Sequence, residues 1–378
     1  MVYLTKNMQV KAELQFFELL RSGLWGNEAD ASSFTKDVDW GVIYQYADEQ
    51  SVSAVVFDGI EALKDKDGKN ITPPKIDLLT WMGEVFIIEN NNHVLNENLK
   101  TLESYFHDKG IRTLLLKGQG CASLYRNPLH RNSGDIDLFV GLDQYEAVKN
   151  ILKEDGIAIE KETRKDLHFM WHDTPVECHK MALHYYSPII NQPLQRINRA
   201  EEWREPRSFI LEGQEIGQPN PTYNAFFIFM HIHHHFVQTG IGLRQICDWT
   251  LFLHRHCAEI DWDKIQQYLK DVRATLAWVS FYGFAKEYLA LDINAPEWMR
   301  QYKKEDVQFL FSDIMAVGNF GQSSESMKHR SFDKGFFGNI YSFWALFKRL
   351  IKVFKYGKEK IIAYPIWKVK AKLRFVPF

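Results

Sequence analysis

The feature that most constrains this chain is a change of hydrophobic period along its length. Up to about residue 105, apolar residues recur at helical spacing. Leu14, Phe17, Leu20 and Leu24 do so within residues 10–24, and Ile43, Tyr44, Ala47, Ala54 and Phe57 within residues 40–63. The polar segment 65–74 ends in two prolines that can open a further helix, at about 75–109. The pattern then shortens. Residues 111–116 and 135–140 read as buried strands, 142–155 as a helix, and 157–160, 167–171 and 176–180 as further strands. From about Pro221 the helical period returns, over 223–237, 243–256, 262–268 and 274–289. The expected fold class is α+β, with a small α/β core at 106–205. An N-terminal helical region (1–105) and a C-terminal helical domain (206–330) flank it, and a basic, aromatic tail follows (331–378).

Composition excludes several classes. With 378 residues, 46% hydrophobic and 25% charged, the chain is globular and long enough for two or three cores. Four cysteines, none in a CxxC pair, read as reduced thiols, and the N-terminus lacks the order of a secretory signal, so a cytoplasmic location is expected. No apolar run reaches the ~18 residues of a membrane span. Charge is uneven. From Phe337 to Phe378 ten basic residues face one acid, Glu359. The tail therefore carries +9 and, with −2 overall, the rest carries −11.

The chemistry concentrates in residues 114–140, LLLKGQGCASLYRNPLHRNSGDIDLFV. In a strand, residues two apart face the same side, so Asp135 and Asp137 project together while Ile136, Leu138 and Val140 enter a core. Two adjacent carboxylates repel unless a cation joins them, and hard oxygen ligands suit Mg²⁺ or Mn²⁺. Glu177, in VECHK, adds a third acid on a neighbouring strand. Three carboxylates can hold two metals ~3.5–4 Å apart, the spacing that serves in-line phosphoryl displacement. Gly118 and Gly120 follow a strand and can let backbone N–H groups approach phosphate oxygens. Gly134 lies in the loop before the acidic strand. Lys117 and Arg131 are the nearby cations, able to grip phosphate or to pair with a structural carboxylate.

This ordered set resembles the nucleotidyltransferase superfamily, whose pattern is a glycine turn, a DxD strand and a third acid on an adjacent strand. More narrowly, it resembles a large bacterial group of poorly characterised nucleotidyltransferases with a KG…R…DIDLLV core, and VECHK matches that group's acid-x-His strand. ELQFFELLRSGLW before the core and GLRQICDWTLFL after it extend the likeness to roughly residues 8–300. The resemblance implies a mixed-sheet nucleotidyltransferase core. It also implies metal-dependent transfer of a nucleoside monophosphate from a nucleoside triphosphate such as ATP to an acceptor hydroxyl, with release of pyrophosphate. Asp135, Asp137 and Glu177 would be both catalytic and metal-binding. Lys117, Gly118, Gly120, Arg131 and Gly134 would bind the nucleotide. The sequence departs from the pattern in reading Gly118-Gln119 where Gly-Ser or Gly-Gly is usual, and Glu177 where Asp is common.

Two other readings remain open. One is a phosphotransferase using the same carboxylates. The other is a non-catalytic nucleotide- or metal-binding partner of a membrane-associated assembly. The tail bears on the second: Tyr341, Trp344, Phe347, Leu350, Ile351 and Phe354 form an apolar stripe beside Lys348, Lys352 and Lys355. Such a stripe can lie peripherally on an anionic inner-membrane surface or pack on the acidic body, and packing is favoured. No nucleic-acid-binding module is recognisable. The tract 231–236, HIHHHF, reads as a helix face before a metal site. His168 and His179 are expected near the cleft; Arg244 and Asp248, four apart, read as a pair on one helix before a reach of Arg244 into the cleft toward phosphates.

Overall fold

The computed structural model describes residues 6–34, 38–185, 187–319 and 347–357. The N-terminal region holds α1 (Lys6–Trp25), α2 (Trp40–Glu49), α3 (Ser53–Glu61) and α4 (Lys75–Asp108). The core runs β1 (Leu114–Leu115), α5 (Gln119–Ala122), β2 (Ile136–Phe139), α6 (Gly141–Glu154), β3 (Ile159–Glu162), β4 (Asp166–Trp171) and β5 (Thr174–His179). Then come α7 (Pro188–Glu201) and a hairpin of β6 (Arg207–Leu211) and β7 (Gln214–Gln218). They are followed by α8 (Pro221–Gln238), α9 (Leu243–His256), α10 (Trp262–Asp271), α11 (Thr275–Leu289), α12 (Glu297–Arg300) and α13 (Lys304–Val317). The α+β class and the five short core strands agree with the reading of the sequence.

The five strands form one mixed sheet in the order β1-β2-β5-β4-β3; only the β2–β5 pairing is parallel. Strand alternation sorts its two faces. Ile136, Leu138, Leu167, Phe169, Val176 and Cys178 point to one side and bury against Leu99, Leu102 and Phe106 of α4 and Tyr145, Val148 and Leu152 of α6. Each large apolar side chain buried there contributes roughly 1.5–3 kcal/mol. The opposite face carries Asp137, Glu177 and His168 in register, with His179 and Asp166 in the next row.

The long helix α4 joins both cores. Trp81, Val85 and Ile88 pack in the large helical core, and Leu99, Leu102 and Phe106 under the sheet. Between them stand three buried amides, Asn92, Asn96 and Asn98. Asn92 donates to the carbonyls of Leu129 and Arg131, which pins the loop ahead of β2. His130 in that loop meets Asp58 of α3 at 2.8 Å and Glu89 of α4 at 3.1 Å.

Three departures from the sequence reading have physical causes. The expected single helix over 40–63 breaks after α2, where Ser51 turns left-handed (φ 56°). The fully buried Gln50 there donates to the Ile314 carbonyl and accepts from the Leu243 N–H. Long-range bonds thus outweigh continuous helical period. The β6–β7 hairpin was not anticipated. Its two-residue turn places Glu212 (φ 47°) and Gly213 (φ 92°) left-handed, as tight hairpins require. It packs on the core, for a Cβ on Gly217 would lie 3.2 Å from the Thr113 carbonyl and the Leu114 side chain. Helix α7, with Pro193 inside it, also escaped the period analysis.

Candidate active site

The parallel β2–β5 register sets Asp137 directly beside Glu177, and the antiparallel β5–β4 register sets Glu177 beside His168. Asp137 is almost fully buried and is gripped from two directions. Lys117 Nζ lies 2.9 Å from one carboxylate oxygen, and His179 Nε2 lies 3.0 Å from the other. Burial alone would raise its pKa, but the Lys117 and His179 contacts overturn that and hold it well below the usual carboxylate range. Lys117 is in turn held above its ordinary value, burial being outweighed by the charges of Asp137 and Asp135. Asp135 stands one residue ahead of β2 and is half-buried. The charge of Asp137, followed by burial, pushes its pKa up. The repulsion expected of two projecting carboxylates is therefore present.

Two groups of this wall, Asp166 and Lys165, are not singled out by the sequence, whereas His168 and His179 stand at the cleft as expected. Asp166 is wholly buried, with Lys165 Nζ at 2.8 Å and His168 Nε2 at 3.0 Å. Its pKa falls to about 2: the charges of Lys165 and His179 win against burial. His179 stands between Asp137 and Asp166, its Nδ1 3.7 Å from the latter. Two overlapping sets have ligand atoms within 4.8 Å of one another: Asp137, Glu177 and His179, and Asp166, His168 and Glu177. Either donor set, carboxylate oxygens with an imidazole, fits a divalent cation such as Mg²⁺ or Mn²⁺. Asp135, expected among the metal ligands, belongs to neither set.

Two cavities meet at this wall. The first, about 260 Å³, is lined by Lys117, Gly118, Gly134, Asp135 and Arg244 beside Asp137 and Glu177. The second, about 310 Å³, lies toward the turn between β3 and β4 and is lined by Lys161, Arg164, Lys165, Asp166, His168 and His179 beside the same two acids. His231 and His235 of α8 line both. His231 approaches Lys117 at 3.5 Å, and burial followed by that charge holds its pKa well below the ordinary value. His233 is buried, 2.7 Å from the Tyr356 carbonyl. No metal-binding group among the described residues includes the tract.

The remaining expected residues divide. Gly118 has φ 57° and ψ −121°, a conformation that favours glycine, and it lines the first cavity. Gly134 is exposed and lines it too. Gly120 does not line either cavity. It is buried, and a Cβ there would meet the Gln218 side chain at 3.2 Å, so its smallness serves the packing of α5 on the hairpin. Gln119, the departure in the glycine turn, is buried and donates to Asn96 at 2.6 Å and to Asn92 at 3.2 Å on α4. It is a structural strut.

Arg131 lies at the cavity wall with its guanidinium already engaged. Nε and Nη2 each reach the Asp248 carboxylate at 2.8 Å, and Tyr125 donates to the same carboxylate at 2.8 Å. The pair expected between Arg244 and Asp248 is therefore not the one formed, because Asp248 is taken by Arg131. Arg244 instead bonds the Asn132 carbonyl, and its buried Nε has no hydrogen-bond partner. Burial and the neighbouring Arg131 lower its pKa.

A family model described as an uncharacterised nucleotidyltransferase matches residues 36–290, which is more than half of the chain. The chain belongs to this nucleotidyltransferase family. Two solved structures align with it. One is the solution structure of the antibiotic-resistance factor ANT(2'')-Ia, at 10% identity, covering 49% of this chain and 94% of that one, with a TM-score of 0.35. The other is an antigenic nucleotidyltransferase-like protein from Paracoccidioides brasiliensis, at 13% identity, covering 53% and 94%, with a TM-score of 0.36. No curated protein matches the sequence. Within the matched span lie every acid and cation of the two cavities. The described part of the tail lies beyond it and packs on the acidic body, as favoured. Arg349 and Lys352 meet Asp313 at 2.6 and 2.7 Å, and Lys355 pairs with Asp306. Val353 and Tyr356 are buried, while Ile351 and Phe354 are exposed. Leu350 of the stripe is buried, and Tyr341 and Trp344 lie outside the described residues. No described helix is long and apolar enough to cross a membrane.

Proposed function

We propose that this protein moves a nucleoside monophosphate from a nucleoside triphosphate to an acceptor hydroxyl. The observation that carries the reading is the strand register that pairs Asp137 with Glu177 at the junction of two cavities, with Asp135 beside them. The acceptor oxygen attacks the α-phosphorus, the α–β anhydride bond breaks, and pyrophosphate leaves with its electron pair.

The first cavity takes the triphosphate. Gly118 and Gly134 let the chain come close to phosphate oxygens, and Lys117 and Arg244 supply positive charge. Arg244 is the better candidate for a phosphate clamp than Arg131, for its Nε is unpaired and its neighbour already holds the local acid. The lining carries four cations (Lys117, Arg131, Lys165, Arg244) and four acids (Asp135, Asp137, Glu177, Asp248). A tetra-anionic nucleotide there calls for added positive charge.

Asp137 and Glu177, with Asp135 or His179, would hold divalent metal, whose chemistry is to neutralise phosphate charge and acidify the acceptor hydroxyl. Lys117 keeps Asp137 ionised, and His179 fixes its orientation. Glu177, whose nearest cationic partners stand at 3.6 and 3.7 Å, is less tightly engaged than Asp137 or Asp166 and is the acid placed to accept the hydroxyl proton.

The test is to incubate the protein, Mg²⁺ and a small-molecule extract with NTP labelled at either the α- or the γ-phosphate. Nucleotidyl transfer puts the α-label into a new product and releases γ-labelled pyrophosphate. A γ-labelled product with release of nucleoside diphosphate would replace this reading with phosphotransfer.

A further inference from the structure

The second cavity is the place to ask what the acceptor is. It shares Lys117, Asp137, Lys165 and Glu177 with the first cavity but has neither of its glycines. Its own contribution comes from the β3–β4 turn and from the stretch after β5. Lys161 of β3 and Arg164 of the turn join the shared Lys165 within five residues of sequence, and Ala182, Leu183 and Phe227 give an apolar floor. Its lining holds four lysines and arginines (Lys117, Lys161, Arg164, Lys165) against three acids (Asp137, Asp166, Glu177), before any histidine is counted. Asp137 pairs with Lys117 and His179, and Asp166 with Lys165 and His168, so these pairs cancel cations as well as acids and the excess stays at one positive charge. Any divalent cation on Asp137 and Glu177 makes the cavity more positive still.

His184 lines the same cavity, and its pKa is driven down to about 4 by burial and then by the charges of Arg164 and Lys165. The charges of Arg164 and Lys165, which line the cavity, disfavour a cationic ligand and favour an anionic one.

We infer that this cavity binds the acceptor, and that the acceptor is a small hydroxyl compound bearing a phosphate or similar anionic group held by Lys161, Arg164 and Lys165. The inference rests on the nucleotidyl-transfer reading for the word acceptor, while the anion site itself does not. The apolar floor would take the carbon skeleton, and Glu177 the hydroxyl to be modified. At about 310 Å³ the cavity stands near the lower end of the ~300–1,000 Å³ range of small-molecule sites.

The experiment is calorimetric titration of the full-length protein at fixed ionic strength. The probes are glycerol 3-phosphate and ribose 5-phosphate, compared with glycerol, ribose and ethanolamine, each with and without Mg²⁺ and a non-hydrolysable NTP analogue. The phosphate esters should bind measurably and the neutral and cationic probes should not. Lys161→Ala/Arg164→Ala should weaken ester binding about tenfold or more, with NTP-analogue affinity changed less than about twofold. Lys161→Ala alone, at an exposed strand position, should give a smaller loss in the same direction and guards against misfolding of the double variant. Three results would overturn the inference. They are no ester binding by the wild type, equal or tighter binding of glycerol or ethanolamine, and a parallel loss of ester and nucleotide binding in the double variant. Failure of the NTP analogue to bind, with ester binding intact, would strike the nucleotidyl-transfer reading and leave the anion site standing.

Discussion

The two cavities meet at Asp137 and Glu177 yet are built from different materials. The first adds loop residues and residues of α9 to the shared strand acids and α8 histidines, with cations and acids equal in number. The second is lined by strand and turn side chains, with an excess of cations and a row of histidines. The difference teaches where charge is being stored. On the first side Arg131 and Asp248 neutralise each other and brace the loop, so that Arg244 is left without a carboxylate partner. On the second side Asp137 pairs with Lys117 and Asp166 with Lys165, and the lining holds four lysines and arginines against three acids.

The largest effect should come from the shared wall. Asp137→Asn should cut transfer by on the order of 10³-fold whichever acceptor is used, measured as label transfer by a protein shown to be folded. Near-normal turnover would break the claim that both cavities serve one reaction.

Next is the brace. Arg131→Ala leaves a buried carboxylate without its partner and should cost about 3–5 kcal/mol of stability by denaturant unfolding. Replacing both partners with apolar residues should recover much of that loss. A fully stable Arg131→Ala protein with weakened nucleotide binding would instead make Arg131 a ligand and remove the contrast with Arg244.

Arg244→Ala should weaken nucleotide binding by about 10- to 100-fold, with little change in stability and none in phosphate-ester binding. Lysine should rescue it poorly, since it lacks the fork.

The smallest effect concerns the floor of the second cavity. Glu202 is buried and accepts a hydrogen bond from the N–H of Ala182, a floor residue. Burial pushes its pKa up to about 7, against a weaker lowering by that bond. A carboxyl with a raised folded-state pKa gives its full stabilisation below the ordinary value near 4.5 and loses it as pH rises through about 7. Glu202→Gln should therefore flatten the fall in melting temperature between pH 5 and 8, a change on the order of 1–2 kcal/mol. An unchanged slope would show that Glu202 is not the group that titrates.

Much of this was legible in the sequence because strand alternation is local. Asp137 and Glu177 announced themselves by acids set between Ile136, Leu138, Val176 and Cys178. The same rule, applied to Asp166-Leu167-His168, would have found the second row, but one acid beside one histidine is a common surface pattern and carried no signal alone. The partner of Arg131 was out of reach. Asp248 lies 117 positions away, and the closer candidate in sequence, Arg244, loses it to tertiary packing. Gln119 looked like damage to a phosphate turn because the two asparagines it bonds, on α4, are more than 20 residues upstream. Sequence spacing reports neighbours on one element; struts between elements need the fold.

The central claim is that Asp135, Asp137 and the cations around them form a nucleotide site. Calorimetric titration of ATP, GTP, CTP and UTP in Mg²⁺, wild type against Asp135→Asn/Asp137→Asn, tests it without an acceptor. Metal-dependent binding of at least one nucleotide, lost in a folded variant, is the predicted result. Absence of binding to all four by folded wild-type protein would contradict it and favour a non-catalytic partner role.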